Sequence, residues 1–142
     1  ARSLGAEAVI DASQQTDVVA AIQQLTGGGA QVSIDTLGSP VTCRNSVRCL
    51  GRRGRHVQIG LTLGDHRDVS IPMNEVIARE LELLGSHGMQ AYRFRELLGM
   101  IAGGSLDPGR LIGKRVTLAE APAELEAMTR FEQEGISVIV RF

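Results

Sequence analysis

The stretch Gly54-Arg55-His56-Val57-Gln58-Ile59-Gly60-Leu61-Thr62 combines the alternation of a β-strand with a glycine at the strand's end. In an extended chain, Val57 and Ile59 fall on one face of the strand. The polar side chains of His56 and Gln58 fall on the other face. Gly60 stands where the backbone turns or lets another group approach closely. The stretch therefore predicts a strand that opens onto a ligand-binding crevice.

Two similar runs lie on either side of this stretch, at residues 31–39 and residues 80–88. Each run is apolar and ends in a glycine beside small or hydroxylic residues. In open α/β sheets, ligands bind just beyond the carboxyl ends of the strands. We therefore expect three strand ends to meet at one site.

Helical segments alternate with these strands along the first part of the chain. Val18, Ile22 and Leu25 recur at helical spacing until the glycines of residues 27–29 end the helix. Ser39 followed by Pro40 is typical of a helix N-terminus. Cys43, Val47 and Leu50 are expected to form the inner stripe of that second helix. A further short strand is expected around Val9. Strands that alternate with helices through short connections predict a parallel sheet.

The pattern changes after Gly88. An amphipathic helix is predicted around Phe94 and Ile101, a strand around Val116, a helix with Leu125 and Met128 facing inward, and a final strand over residues 136–140. These strands are expected to be isolated and no longer to follow the alternation of the first part. We place a domain boundary near residues 86–92, which separates domain 1–88 from domain 89–142. The segment of residues 73–79 remains ambiguous between helix and irregular structure.

Composition narrows the functional classes. The 142 residues carry a net charge of −1, and Arg52, Arg53 and Arg55 form the densest basic cluster, in an expected turn. Nucleic-acid binding is therefore not expected. No run approaches the about 20 apolar residues of a membrane span, and no signal segment opens the chain. Cys43 and Cys49 match no zinc or redox spacing and fit buried positions in a reducing, cytoplasmic protein.

With these residues described, the chain resembles the C-terminal portion of the medium-chain dehydrogenases/reductases, the zinc-type alcohol dehydrogenases. The resemblance covers essentially the whole sequence and rests on the order and spacing of four pieces. They are residues 1–11 (ARSLGAEAVID), residues 57–61 (VQIGL), residues 84–86 (LGS), and residues 113–118 with 121–125 (GKRVTL and APAEL). The fold class implied is α/β: a partial, Rossmann-like, doubly wound parallel sheet that lacks its first two strands, followed by the C-terminal segment of the GroES-like catalytic domain.

The resemblance also implies a function, the transfer of hydride between NAD(P) and an alcohol or aldehyde. In the family, three strand-end loops border the coenzyme. Their counterparts here are Leu37, Gly38 and Ser39 near the adenosine, Ile59, Gly60 and Leu61 near the nicotinamide, and Gly85, Ser86 and His87 near the carboxamide. Family members pair subunits through the region that corresponds to residues 73–86, so a homo-oligomer is expected. No catalytic residue is expected in this chain.

Two family signatures are missing from the sequence. There is no Gly-x-Gly-x-x-Gly turn for the pyrophosphate, and the cysteine and histidine ligands of zinc lie upstream in the family. The chain also opens as if in the last turn of a helix, with Leu4 and then Gly5 as a C-cap. We therefore expect a fragment of a longer enzyme, with zinc and the glycine-rich turn outside it, and we expect the fragment alone to be inactive.

Several residues have a simple structural alternative to a functional role. His87 ends a strand at the expected site, but an exposed histidine is the commoner interpretation. Asp35 could reach a ribose hydroxyl, yet capping the following turn is favoured. Helix capping alone would also account for Ser39 and Ser86.

Two rival functions stay open at this point. One is a zinc-free quinone or enone reductase of the same superfamily, which only upstream sequence would separate from the first hypothesis. The other is a non-catalytic dimerisation or structural module that uses residues 73–86. Binding of NAD(H) distinguishes the enzymes from the structural module.

Overall fold

The computed structural model describes residues 1–130 and 135–142 and divides into two compact units, Ala1–Gly88 and Met89–Phe142. Three helices and three strands make up the secondary structure of the first unit, apart from short 3₁₀ turns at Arg2–Leu4 and Gly64–His66. In chain order they are α1 (Val18–Leu25), β1 (Ala30–Asp35), α2 (Pro40–Arg48), β2 (Leu50–Gln58), α3 (Met73–Arg79) and β3 (Glu82–Gly85). The strands and helices alternate, as the sequence predicts.

The three strands form one parallel sheet in the order β1-β2-β3. Ile34 pairs with Val57, and Val57 in turn pairs with Leu84. Because all three strands run in the same direction and in sequence order, their carboxyl ends lie at one edge of the sheet. The predicted meeting of three strand ends is therefore confirmed.

Helix α2 begins where the sequence predicts. The Ser39 hydroxyl accepts a hydrogen bond from the Thr42 N–H (3.1 Å), the Thr42 hydroxyl accepts one from the Ser39 N–H, and Pro40 occupies the first helical position. This reciprocal capping satisfies two donors that a helix start otherwise leaves unpaired. The cap fixes the direction in which the chain leaves β1 and enters α2.

A small apolar core lies between the sheet and its helices. Val47, Leu50 and Leu81 are buried together, and Ile71 and Val76 pack against them. Cys43 and Cys49 are also buried, which confirms their prediction as small core residues. Leu50 joins the core as the first residue of β2, so its prediction as part of the helix stripe was wrong. Helix α2 ends before Leu50, at the C-cap residue Cys49, whose N–H donates its hydrogen bond to the Asn45 carbonyl.

Two further expectations for this unit need correction or completion. Residues 8–11 form no strand; the Asp11 carboxylate instead accepts hydrogen bonds from the Ser13 N–H (2.9 Å) and hydroxyl (2.7 Å). An extended segment gains ladder hydrogen bonds only beside a partner strand, and no strand of the described residues pairs with this one. The ambiguous segment Met73–Arg79 is a helix, and β3 begins two residues later than expected, at Glu82.

The second unit contains a short strand-helix-strand arrangement. Its elements are α4 (Phe94–Ala102), β4 (Ile112–Thr117), α5 (Ala121–Met128) and β5 (Ile136–Arg141), with 3₁₀ turns at Ala91–Arg93, Pro108–Leu111 and Leu118–Glu120. β4 and β5 pair with each other in parallel, so the expectation of isolated strands was wrong. Leu125 and Met128 are exposed in this chain, which also corrects their predicted inward position.

A carboxylate holds this second unit together. Glu124 of α5 forms an ion pair with Lys114 of β4 and accepts a hydrogen bond from the Ser137 hydroxyl of β5 (3.0 Å). One side chain thus bridges the helix to both strands. None of the helices within residues 1–130 and 135–142 has the length and apolar character needed to cross a membrane.

Candidate functional site

The last paired residues of the three strands of the first unit lie in one row. Asp35 of β1 pairs with Gln58 of β2, and Gln58 pairs with Gly85 of β3. The loops that leave these positions therefore emerge side by side. The nine residues predicted for coenzyme contact all belong to these loops or to the strand end itself.

The loops after β1 and β2 contact each other through bare backbone. A Cβ atom added at Gly38, whose φ is +84°, would lie 2.3 Å from the Leu61 carbonyl oxygen. A Cβ at Gly60 would lie 2.3 Å from the Gly38 nitrogen and 2.5 Å from the Leu37 carbonyl carbon. Both values are far below van der Waals contact. Glycine is required at both positions because the two loops touch where side chains would otherwise stand.

Asp35 joins these two loops with both its side chain and its main chain. The carboxylate Oδ1 accepts hydrogen bonds from the N–H groups of Leu37 (2.9 Å) and Gly38 (3.2 Å). The Asp35 main-chain carbonyl accepts from the N–H groups of Ile59 (2.9 Å) and Gly60 (2.8 Å). The predicted capping role of Asp35 is therefore confirmed. Only 4% of its surface is exposed, so the carboxylate belongs to the support of the site.

Gln58 extends this network across the sheet. Its side-chain Nε2 donates to Asp35 Oδ2 (3.0 Å) and to the Gly60 carbonyl (2.8 Å), and its Oε1 lies 3.1 Å from Nε2 of His56. His56 is 3% exposed, and its Nδ1 lies 2.9 Å from the Ser46 hydroxyl of α2. His56 is thus a buried residue of β2 that is hydrogen-bonded to α2.

A depression of about 360 Å³ opens beside these loops. It is lined by Gln58, Ile59, Gly60, Leu61, Thr62, Gly85, Ser86 and His87. Six of the nine predicted residues therefore line one depression, and Leu37, Gly38 and Ser39 lie outside its lining. The sequence prediction missed Gln58 and Thr62. For Gln58 a signal was present, because the sequence places its polar side chain on one face of the strand that ends at the site.

Electrostatics favour an ionised Asp35 and an unreactive Cys43. Burial raises the pKa of the Asp35 carboxyl, but hydrogen bonds, led by the one from Gln58, outweigh burial and hold that pKa below its usual range. Burial, followed by the negative charge of Asp35, raises the pKa of the Cys43 thiol. Thiolate is the reactive form of cysteine, so Cys43 is not suited to act as a nucleophile.

The predicted residues of the third loop differ in their surroundings. The Ser86 N–H donates to the Gln58 carbonyl (2.9 Å), which continues the strand pairing by one residue. No helix begins at Ser86, so its suggested helix-capping role was wrong. His87 is exposed at the rim of the depression. Gly85 has open space where a Cβ would stand.

The sequence profile of a family described as zinc-binding dehydrogenase matches residues 1–103. The match covers most of the chain, including every strand and loop of the site. The chain belongs to the zinc-binding dehydrogenase family.

Individual relatives agree with this membership. The chain is 26% identical over 141 residues to (R,R)-butanediol dehydrogenase of Bacillus subtilis, covering 99% of this chain and 39% of that protein. It is 28% identical over 141 residues to NAD-dependent alcohol dehydrogenase of Sulfurisphaera tokodaii, again covering 99% and 39%. A crystal structure of 2R,3R-butanediol dehydrogenase from Bacillus subtilis matches with a TM-score of 0.79 and 25% identity, over 94% of this chain and 37% of that one. This zinc-binding dehydrogenase chain thus spans about two fifths of the length of these relatives.

The family implies two bound groups, and the site fits one of them. For a nicotinamide coenzyme, the depression offers an open face at Gly85. Among the described residues, the backbone N–H groups of Leu61 and His87, which line it, donate no hydrogen bond. Such free donors can hold an amide group.

For zinc, the described residues do not fit. No group of three or more histidine, cysteine or acidic side chains that could hold a metal occurs within residues 1–130 and 135–142. Both ring nitrogens of His56 are engaged with Ser46 and Gln58. Cys43 and Cys49 are both buried, free cysteines.

Proposed function

We propose that this chain supplies part of the coenzyme site of an NAD(P)-dependent, zinc-type alcohol dehydrogenase, which transfers hydride between the coenzyme and a small alcohol or aldehyde. The observation that carries the proposal is the depression at the three strand ends, whose lining includes Ile59, Gly60, Leu61, Gly85, Ser86 and His87. Family membership and relatives named as butanediol and NAD-dependent alcohol dehydrogenases support it.

The residues of this chain would bind and orient. Free N–H groups of Leu61 and His87 would hold the carboxamide, and Gly85 would admit the nicotinamide ring closely. The coenzyme, when bound, supplies the hydride-accepting ring. Fixing one face of that ring toward the substrate lowers the entropic part of the barrier, so the contribution of this chain is positioning rather than acid-base chemistry.

Each compact unit has a proposed identity. Residues 1–88 would form the second part of the NAD(P)-binding domain, and residues 89–142 would form the C-terminal segment of the GroES-like catalytic domain. The parallel β1-β2-β3 sheet supports the first assignment, because it matches three successive strands of a doubly wound sheet.

The proposal extends to a homo-oligomer that forms through residues 73–86. β3 carries no neighbour on its outer side within the described residues. Within residues 73–86, Leu84 of β3 and Ile77 of α3 are exposed. An apolar, unpaired strand edge is a natural surface for pairing with an identical copy.

The first experiment combines intact mass with activity. A polypeptide of two or more domains that oxidises small alcohols with NAD(P) supports the proposal. A polypeptide of two or more domains that shows no NAD(P)-linked alcohol oxidation contradicts it. Oxidation of NADPH by quinones in the absence of zinc would instead support the rival reductase.

A pair of glycine variants tests the site itself. Gly85→Val fills open space at the depression, whereas Gly99→Val fills open space on α4, outside it. We expect Gly85→Val to weaken NADH binding about tenfold, the equivalent of about 1.4 kcal/mol, and Gly99→Val to leave it unchanged. Titration of NADH fluorescence measures both. Equal affinities of the two variants and the unmodified protein would move the coenzyme away from this depression.

A further inference from the structure

The side-chain amide of Gln58 has all of its hydrogen-bonding groups engaged at the junction of the two loops. Its two N–H bonds go to Asp35 Oδ2 (3.0 Å) and the Gly60 carbonyl (2.8 Å), and its oxygen faces His56 Nε2 (3.1 Å). Because the amide nitrogen can only donate, the arrangement also fixes the amide orientation and requires a proton on Nε2 of His56. A neutral His56 then accepts from the Ser46 hydroxyl at Nδ1.

These bonds converge on the loop that borders the depression. Gly60 is held from one side by the Asp35 carbonyl, through its N–H, and from the other by Gln58, through its carbonyl. The peptide plane between Gly60 and Leu61 includes that carbonyl and the free Leu61 N–H. Rotation of this plane would swing both groups together, since a peptide unit is rigid.

We infer that Gln58 is a positioning residue for the coenzyme. By donating hydrogen bonds to both the Gly60 carbonyl and the Asp35 carboxylate, it orients the Leu61 N–H toward the depression. The inference rests on the proposed function. It assigns to Gln58, a half-buried residue at the end of β2, a role beyond its place in the strand.

The charged and titratable surroundings of Gln58 make a sharp test possible. Asp35 faces it from β1, His56 from β2 and Cys43 from α2, while Arg67 lies in the adjoining cavity lining and β3 presents only Leu83, Leu84 and Gly85. A carboxyl group introduced at position 58 would stand beside the Asp35 carboxylate. Two carboxylates this close raise one pKa of the pair, so the introduced group titrates at a higher pH than usual.

The experiment compares Gln58→Glu and Gln58→Met in the intact polypeptide that contains this chain, with NADH as the probe at pH 6.0 and pH 8.5. At pH 8.5 the Gln58→Glu carboxylate can donate to neither partner and repels Asp35. At pH 6.0 its protonated form donates one hydrogen bond again. Gln58→Met loses both donors at either pH.

We expect Gln58→Glu to raise the Kd for NADH, relative to the unmodified protein at the same pH, about tenfold at pH 8.5 and about threefold at pH 6.0, the scale of one or two hydrogen bonds to a charged or peptide group. Gln58→Met should raise the Kd for NADH by the same factor at pH 6.0 as at pH 8.5. In steady-state kinetics the KM for coenzyme should rise and the KM for alcohol should stay constant. Gln31→Glu, the same change on exposed β1, should leave all values unchanged.

Other outcomes separate the two levels of inference. If both variants fold, as judged by circular dichroism, and bind NADH within twofold of the unmodified protein, the positioning role is overturned while the proposed function stands. Unfolding of both variants also overturns it, because Gln58 would then support the whole unit rather than one loop. Absence of NADH binding by the unmodified protein removes the proposed function and the inference together.

Discussion

At the scale of single residues, the Asp35 carboxylate links stability to pH. Its pKa is lowered in the folded state, so the ionised group stabilises the fold fully above the ordinary aspartate pKa of about 4. That contribution is lost as pH falls through the lower, folded-state pKa. We expect Asp35→Asn to lower the free energy of unfolding at pH 7 by about 1–3 kcal/mol and to flatten its decline below about pH 4. Urea unfolding across pH 2.5–7 measures both effects.

The exposed Asp65 provides the matched control for this change. Asp65→Asn should leave the free energy of unfolding within about 0.5 kcal/mol of the unmodified protein, as surface substitutions usually do. An acid decline that is identical in Asp35→Asn and the unmodified protein would assign the pH dependence to other groups.

The Gly60 position offers a second residue-scale prediction. Gly60→Ala places a methyl group 2.3 Å from the Gly38 nitrogen, and neither backbone can shift without breaking the hydrogen bonds that the Gly38 and Gly60 N–H groups donate to Asp35. We expect a loss of stability of about 2–4 kcal/mol, in the range of overpacking and strained backbone, measured as the shift in the urea midpoint. Gly99→Ala, which meets nothing within 4 Å on a helix, should be neutral or stabilising.

At the scale of elements, α3 is docked by one arginine. Arg79 Nη1 donates to the carbonyls of Arg48 (2.9 Å) and Leu50 (2.8 Å), and its Nη2 contacts the Glu75 carboxylate (2.7 Å). It therefore ties α3 to the end of α2 and the start of β2. We expect Arg79→Met to cost about 2 kcal/mol and Arg79→Lys somewhat less, because lysine lacks the planar fork.

Thermal and urea unfolding of both Arg79 variants check this expectation. Arg93 serves as the control, since it pairs with Glu96 on an exposed helix start. Exposed pairs of this kind contribute about 0–1 kcal/mol. If Arg79→Met costs no more than Arg93→Met, α3 is held by its other contacts, which include the Arg48–Glu75 ion pair.

Elements with local signals were predictable from the sequence, and those set by distant partners were not. Ser39 and Pro40 predicted the start of α2, and the glycines of residues 27–29 predicted the end of α1. Both signals are local, because capping residues and helix-ending glycines act within a few residues. The Val9 segment looked like a strand by composition, but strand formation needs a neighbour. The pairing of β4 with β5 depends on a partner more than 20 residues away, and periodicity carries no such information.

The candidate site shows the same division. Glycines at the ends of β2 and β3 marked the depression, since close backbone approach leaves a trace in the sequence. The Asp35–Gln58–His56–Ser46 network left no such trace. Its members are polar residues of ordinary kind, and they meet only because the parallel register brings Asp35 opposite Gln58.

At the scale of the whole molecule, the chain exposes much apolar surface. Val32 and Ile34 of β1 and Ile77 of α3 contribute side chains that are more than half exposed. This surface is consistent with the proposal that further chain and a second subunit cover it.

The proposed oligomer gives the whole-molecule prediction. Leu84 of the edge strand is 44% exposed, and Leu25 at the end of α1 is 60% exposed. Leu84→Arg should convert the oligomer into monomers, because it buries an unpaired charge in the proposed interface. Leu25→Arg, the same change outside residues 73–86, should leave the assembly intact. Light scattering coupled to size exclusion measures both masses, and an unchanged mass of Leu84→Arg would place the interface elsewhere.

The interlocked glycines have a consequence for how this sequence can diverge. A Cβ added at Gly38 or at Gly60 would clash with the backbone of the opposite loop. It would not clash with a side chain that could be exchanged for a smaller one. No second substitution can therefore compensate for a change at either position, and the penalties of changing both would not cancel. In a library selected for retained folding, both positions should be recovered as glycine whatever surrounds them, while Ser86 and His87 beside them vary freely.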